Sequence, residues 1–406
     1  TELAISESQE RMAVVINKKD VEAFCKAADK ENLETAVVAV VTDNRRLVMN
    51  WRQNTIVNLS RDFLDTNGVK QHINVVVETP AKETCYLDHI PGKVAALAPD
   101  LEKAWLENLK DLNVCSQKGL AERFDSSIGG NSVLMPFGGK NQLTPTEGMV
   151  AKLPVIGAET TTATAMTYGY NPYLMEWSPF HGAMYAVIES VAKMVALGGR
   201  ADKIRLTFQE YFESLGTDSR KWGRPFAALL GALWAQHQLE IPAIGGKDSM
   251  SGTFMDLTVP PTLTSFAVDV MKADNALSPE FKVAGSKVYY VPMPKDKLAM
   301  PDFRKLRDTY EKVSNFIAAK KVFAASSVRM GGTAAAITKM CLGNGIGFRF
   351  NSKPSMEDLF KADYGALILE VAPDSDIKEA LAGTGCYELG TTTQNSNIVA
   401  GEAVIG

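Results

Sequence analysis

Residues 241–252, IPAIGGKDSMSG, place two glycines, a lysine, an aspartate and two serines after a short apolar run. Glycine lets a phosphate approach backbone N–H groups closely, an ammonium can pair with it, and a carboxylate can share a magnesium ion with it. Gly245, Gly246, Lys247, Asp248 and Ser249 therefore carry the chemistry of a phosphate and magnesium site. The Walker-type loop GxxxxGK[ST] is excluded, because Asp248 follows Lys247. On spacing alone a tight turn explains the stretch equally well.

A second chemistry-bearing pair, Glu189 and Lys193, stands four residues apart with the acid nearer the amino end. That order suits an exposed helical ion pair worth about 0.2–0.5 kcal/mol. It also suits a carboxylate that ligates magnesium beside phosphate oxygens. Nucleophilic hydrolysis gains no support. None of Cys25, Cys85, Cys115, Cys341 and Cys386 lies in a GxCxG-type elbow, and the four histidines lack evident partners. His181, in EWSPFHGAM, sits at a helix start where backbone donors attract anions, and a structural role there is the simpler reading.

These residues need elements to position them. GAMYAVIESVAKMVALGG at 182–199 reads as a helix with Val187, Ile188, Val191, Met194 and Val195 on one face and a glycine C-cap. RPFAALLGALWAQHQL at 224–239 reads as a helix with proline in its first turn and Phe226, Leu229, Leu230, Leu233 and Trp234 inward, feeding a strand at IPAI. SFAVDVM at 265–271 is a further strand. Upstream, MAVVI (12–16) and TAVVAVV (35–41) flank the helical KKDVEAFCKAADKEN, a β-α-β unit. YGALILEV (364–371), DSDIKEALAGTG and CYELGTTT repeat that order, and LVMNWR is echoed by NIVAGEAV. A weak internal duplication is expected, the chain beginning late inside one domain and ending at the matching place in another. Pro80, Pro91 and Pro99 precede LEKAWLENLKDL, a linker with a docking helix. Strand KVYYVPM (287–293), a helix from Gly332 to about Leu342 between GG and GNG, and strand IGFRF build the last region. The expected class is α/β (α+β), with a linker and docking helix within residues 80–120, a domain from near Ser116 and a last domain from near Lys272.

A chain of 406 residues suggests two or three domains. With 46% hydrophobic and 22% charged residues and a net charge of -4, it reads as globular, neither disordered nor basic enough to favour nucleic acid. No apolar run approaches the roughly 20 residues of a membrane span, and TELAISESQERM lacks a basic-then-apolar signal pattern, so a cytosolic protein is expected. The scattered cysteines, with no CxxC pair, suit buried thiols rather than disulfides or zinc ligands.

IPAIGGKDSMSG, SESQERMAVVI, RFDSSIGGNSVLMPFGGKNQLTP, YGYNPYLMEWSPFHGAMYAVIESVAKMVALGG and LTFQEYF together resemble phosphoribosylformylglycinamidine synthase of the large multidomain kind. The resemblance covers nearly the whole chain, with the five stretches in the family's order. It implies the aminoimidazole-ribonucleotide-synthetase fold in a fused pseudo-dimer. Residues 1–85 would be the tail of the first C-terminal-type domain, 86–115 a linker and docking helix, 116–271 the second N-type domain and 272–406 a truncated second C-terminal-type domain. The implied activity is that of a ligase that uses ATP and Mg2+, with ammonia from glutamine, to turn formylglycinamide ribonucleotide into its amidine in purine synthesis. Such chemistry depends on positioning and charge stabilisation around phosphate. The family's first N-type domain and its glutaminase have no counterpart here, so the chain is expected to be inactive alone.

Residue by residue, the resemblance places GGKDSM (245–250) in a nucleotide-facing loop at the seam between the N-type domains. Ser116 and Lys118, in NVCSQKGLAERFD, match a stretch that reaches toward the catalytic ATP. Glu189 matches a carboxylate of an auxiliary ADP–magnesium site of some large members. Two departures predict that this site is degenerate: Lys193 stands where those members have asparagine, and Met330 where they have aspartate. An ammonium cannot ligate magnesium and a thioether is a poor ligand for it, so Lys193 and Arg329 would replace the metal's charge. The rivals are a thiamine-phosphate kinase or selenophosphate synthetase of the same fold, which lack GGKDSMSG and LTFQEYF, and a structural module that binds no nucleotide.

Overall fold

The computed structural model describes residues 11–65, 72–124, 130–296, 298–373 and 375–406. The SESQE and DSSIG parts of the stretches quoted above, the start of the amino-terminal signal reading and Asp374 lie outside the described residues. The chain divides into two compact units, residues 1–73 and 74–406.

In the first unit, helix α1 (Val21–Lys30) covers the helical stretch expected there. Strands β1 (Arg46–Trp51) and β2 (Asn54–Ser60) form an antiparallel hairpin. Its two loop residues, Arg52 and Gln53, both have left-handed φ (46° and 69°), the twist that joins such strands. MAVVI and TAVVAVV are not strands, which corrects the β-α-β reading. A strand exists through its neighbour's hydrogen bonds, and among the described residues neither run has a ladder partner. Val38 is accordingly 88% exposed.

The second unit opens with α2 (Leu101–Lys110), started by Asp100, whose carboxylate accepts from the Lys103 N–H at 3.0 Å. There follow β3 (Met149–Lys152), β4 (Thr162–Gly169), α3 (Pro179–Ala196), β5 (Arg205–Tyr211), α4 (Ser219–Leu239), β6 (Ala243–Lys247) and β7 (Thr262–Lys272). Their sheet has the order β3-β4-β7-β5-β6, antiparallel except for the β5–β6 pair, which α4 connects as a crossover. Helix α3 packs on β4 and β7 and is buried all round from Gly182 to Ala196, as a helix apolar on every side must be. Val187, Ile188, Val191, Met194 and Val195 lie in the core.

Helix α4 corrects the expected facing. It begins at Ser219 behind the Asp218 cap, so Pro225 lies inside the helix rather than in its first turn. Phe226, Leu229, Leu230, Leu233 and Trp234 are 40–50% exposed, and the inner face is Ala227, Ala228, Gly231, Ala232 and Ala235. Small residues win that face because α3 runs too close for large ones. A Cβ on Gly231 would stand 2.0 Å from the Phe180 carbonyl oxygen. Gly231→Val is expected to destabilise the unit by about 1–3 kcal/mol through overpacking, read as a lower urea midpoint.

The second sheet uses β8 (Lys287–Val291), α5 (Phe303–Ala318), β9 (Val322–Ser327), α6 (Gly332–Leu342), β10 (Gly347–Phe350), β11 (Leu367–Val371), β12 (Tyr387–Thr393), β13 (Ile398–Ala400) and β14 (Ala403–Ile405). Its order is β9-β11-β8-β12-β10-β13-β14. The β13–β14 hairpin ends the chain much as β1–β2 follows α1. Helix α2 docks here: Trp105 Nε1 donates to Thr338 Oγ1 (2.9 Å), and Asn108 Nδ2 donates to the Gly331 carbonyl (2.9 Å). One apolar core runs through both sheets, and the class is the α/β (α+β) expected.

Candidate functional site

The Glu189–Lys193 pair is buried, not exposed, with side chains 6% and 1% accessible. It is buried because α3 lies almost on β4. A Cβ on Gly169 would meet the Ala186 carbonyl at 2.0 Å and the Glu189 Cβ at 2.9 Å. Lys193 Nζ sits 2.7 Å from Glu189 Oε1, donates to the Tyr168 carbonyl (2.7 Å) and lies 4.1 Å from the centre of the Tyr168 ring. Glu189 Oε2 accepts from the Tyr170 N–H (3.0 Å). Both carboxylate oxygens are thus engaged, and an ammonium stands where a dication would have to enter. The donor set around Glu189 does not fit magnesium.

Around this pair the charge is largely compensated. Burial disfavours the Arg329 cation, but Glu147 and then Glu189 overcome it and hold its pKa above the ordinary value. Lys339 is pushed down to about 8, first by burial and then by the charge of Arg329. Glu147 itself accepts from Ser326 Oγ (2.8 Å), Ser327 N–H (3.1 Å) and Ser327 Oγ (2.6 Å).

The glycine-rich stretch is an edge strand before it is a loop. Gly245, Gly246 and Lys247 belong to β6, with Gly246 opposite Phe208 and Lys247 opposite Gln209. Gly246 is required by the sheet, since a Cβ there would lie 2.5 Å from the Phe208 carbonyl oxygen. Gly245 (φ 155°) faces open space, and residues 244–248 are exposed along the outer edge of the sheet. Beyond the strand, Ser249 N–H donates to the Glu210 carbonyl (3.1 Å) and Phe212 N–H to the Ser249 carbonyl (2.9 Å).

Glu210 was not among the sequence candidates. It is only 6% exposed, and its Oε1 has no hydrogen-bond partner in the structure. Burial, and then the charge of Asp248, push its pKa up to about 7. The signal was present in LTFQEYF: alternation along β5 puts Glu210 on the same buried face as Leu206.

Ser116 and Lys118 lie elsewhere. Ser116 Oγ accepts from the Lys118 N–H (3.3 Å), Lys118 Nζ is 3.6 Å from Glu122, and Val114 just before them packs against Gly331. No hydrogen bond or ion pair among the described residues joins them to the 245–249 stretch. His181 Nδ1 lies 2.8 Å from Ser178 Oγ, the residue that caps α3, which is the structural role expected. All five cysteines are free thiols. Among the described residues no cluster of three or more His, Cys, Asp or Glu could hold a metal, and no helix is long and apolar enough to cross a membrane. A cavity of about 570 Å³ between α4 and α5 contains none of the candidates, and its Arg307 is already paired with Glu240.

Residues 1–52 match the family described as AIR synthase related protein, C-terminal domain. The chain is 23% identical over 411 residues to the phosphoribosylformylglycinamidine synthase subunit PurL of Thermoplasma acidophilum, covering 92% of this chain and 50% of that protein. It is 25% identical over 436 residues to the PurL of Picrophilus torridus, covering 100% of this chain and 54% of that protein. The chain thus spans about half the length of these relatives. Among solved structures, T. maritima PurL complexed with ADP matches 97% of this chain and 57% of its own, with a TM-score of 0.65 at 19% identity. The same protein complexed with FGAR gives 0.64 at 20% identity, covering 97% and 55%. In sequence along most of its length and in fold, this chain is similar to the phosphoribosylformylglycinamidine synthase subunit PurL.

Proposed function

We propose that the chain is part of an ATP-dependent, amidine-forming ligase that converts formylglycinamide ribonucleotide to formylglycinamidine ribonucleotide in purine synthesis, with ammonia from glutamine supplied by a glutaminase domain that has no counterpart in this chain. The observation that carries this reading is similarity to PurL along 92–100% of the chain. In the proposal, residues 1–85 are the tail of the first C-terminal-type domain, 86–115 a linker and docking helix, and 116–271 and 272–406 the second N-type and C-terminal-type domains. The remaining half of the synthetase completes the site, and the chain is inactive without it. The setting is cytosolic.

Within this reading Gly245, Gly246, Lys247, Asp248 and Ser249 face nucleotide phosphate along the exposed edge of β6, where strand N–H groups and one ammonium are free of competing acids on the strand itself. Ser116 and Lys118 contribute from a different place in the fold. Magnesium, carried with ATP, would neutralise developing phosphate charge. An auxiliary ADP–magnesium site at Glu189 is not part of the proposal, because Lys193 closes it. That closure also favours a second reading, a structural module that binds no nucleotide.

Isothermal calorimetry with ADP and ATP, with and without Mg2+, separates the two. The ligase reading expects saturable binding that weakens roughly tenfold in Lys247→Ala, the loss of a charge-assisted phosphate contact of about 1.5 kcal/mol. Binding unaffected by that change would remove the edge strand from the site, and no binding at all would favour the structural module.

A further inference from the structure

We propose that Glu210 and Asp248 form a two-carboxylate cradle for a divalent cation at the carboxyl end of β5, beside the phosphate assigned to Lys247. The phosphate part rests on the nucleotide reading above; the cation part does not.

Glu210 is placed oddly for a structural residue. Its side chain points to the buried face of the sheet, yet Oε1 receives no hydrogen bond. The charged group acting on it is another carboxylate, Asp248, one strand away. The nearest basic side chains along the following helix are committed to a different acid: Lys221 (2.8 Å) and Arg224 (3.1 Å) both pair with Glu213. The backbone holds the two acids in place, through Ser249 N–H on the Glu210 carbonyl and Phe212 N–H on the Ser249 carbonyl. A buried carboxyl with no donor and a second carboxylate against it is costly unless a cation or a proton joins them. Magnesium and manganese suit this arrangement. They bind through one or two carboxylates and complete an octahedron with water and phosphate oxygens, so no larger acid cluster is needed. Asp248 is exposed, which leaves the outer side of such an ion open to solvent and to a phosphate.

The test uses the whole 406-residue chain and Mn2+ alone, with free Mn2+ read by electron paramagnetic resonance at pH 8. The expected result is saturable binding of Mn2+ that weakens at least roughly tenfold in Glu210→Gln and in Asp248→Asn. Glu210→Gln keeps the shape of the side chain, and its far-ultraviolet circular dichroism should match the parent. It should also lose the rise in Tm that Mn2+ gives the parent. Absence of saturable binding by the parent, or equal affinity and equal Tm rise in Glu210→Gln, would overturn the cradle, the latter leaving a carboxyl neutralised by a proton alone. Because no nucleotide is needed, Mn2+ binding without ADP binding would sink the nucleotide reading and keep the cradle. ADP binding with unchanged Mn2+ affinity in Glu210→Gln would do the reverse.

Discussion

Lys193→Met is expected to lower the stability of the folded chain by about 3–5 kcal/mol, the cost of leaving a buried carboxylate without its counter-charge. The substitution keeps an unbranched side chain of similar length, so little of the loss would come from a cavity. What remains is Glu189, with one oxygen on the Tyr170 N–H and the other facing an apolar thioether. The Tyr168 carbonyl would lose its donor and the Tyr168 ring its cation in the same step. Equilibrium urea unfolding of parent and variant measures the loss. The double variant Glu189→Gln/Lys193→Met separates the pair from packing: with no charge left to strand, it should recover most of the stability, because replacing a whole buried pair is often neutral. A double variant as unstable as the single one would assign the effect to packing instead. Glu189→Gln alone strands the ammonium and is expected to be destabilising as well.

Trp105→Ala has an expected cost of similar size, about 3–5 kcal/mol, from a different cause. The indole is fully buried where α2 meets the second sheet, edge-on to Phe350 (ring centres 6.4 Å apart) and Phe360 (5.9 Å). Alanine would remove those contacts and the Nε1–H bond to Thr338. Thr338 is not orphaned, since its hydroxyl still donates to the Ala334 carbonyl (2.7 Å). Trp105→Phe should therefore cost less, about 1–2 kcal/mol, by losing the bond and part of the area while keeping an aromatic ring. Urea midpoints rank the three proteins. Near-ultraviolet circular dichroism, dominated by fixed aromatics, should lose intensity in the alanine variant before the far-ultraviolet signal changes. Equal stability of parent and Trp105→Ala would show that α2 does not depend on this anchor.

Particular elements show what the amino-acid order could reveal. Helix α6 begins and ends at the expected residues because its limits are local: Gly331 before it and Gly332 at its first position, both at positive φ, and Gly343 after it. Helix α3 was legible as a helix from its apolar spacing and glycine C-cap, but the sequence reading gave it a single inward face, and the structure buries it all round. Helix α4 was legible as a helix but not in its facing. Its five large apolar residues outweigh its alanines in any count of hydrophobic periodicity. Which stripe turns inward is set by how near α3 lies, and that distance belongs to the pair of helices rather than to either sequence. The two apolar runs around α1 failed for the opposite reason: their composition suits strands, but a strand is made by its neighbour.

The candidate site divides along the same line. Residue types and spacing marked residues 245–249 as suited to phosphate but left a turn equally open, excluded a Walker loop, and put Glu189 and Lys193 on one helix face, because these are properties of short, contiguous chain; the family resemblance made 245–249 the nucleotide-facing candidates. The quoted motifs also carried the family resemblance without any coordinates. Only the tertiary structure decided that Glu189 and Lys193 are a buried, closed pair, since burial depends on how closely α3 lies against β4. Only it revealed that the glycines serve a sheet edge as well as a loop, since that depends on the parallel register with β5. And only it set Glu210 against Asp248, two acids far apart in sequence that a strand pairing makes neighbours, with Glu210 Oε1 left without a hydrogen bond.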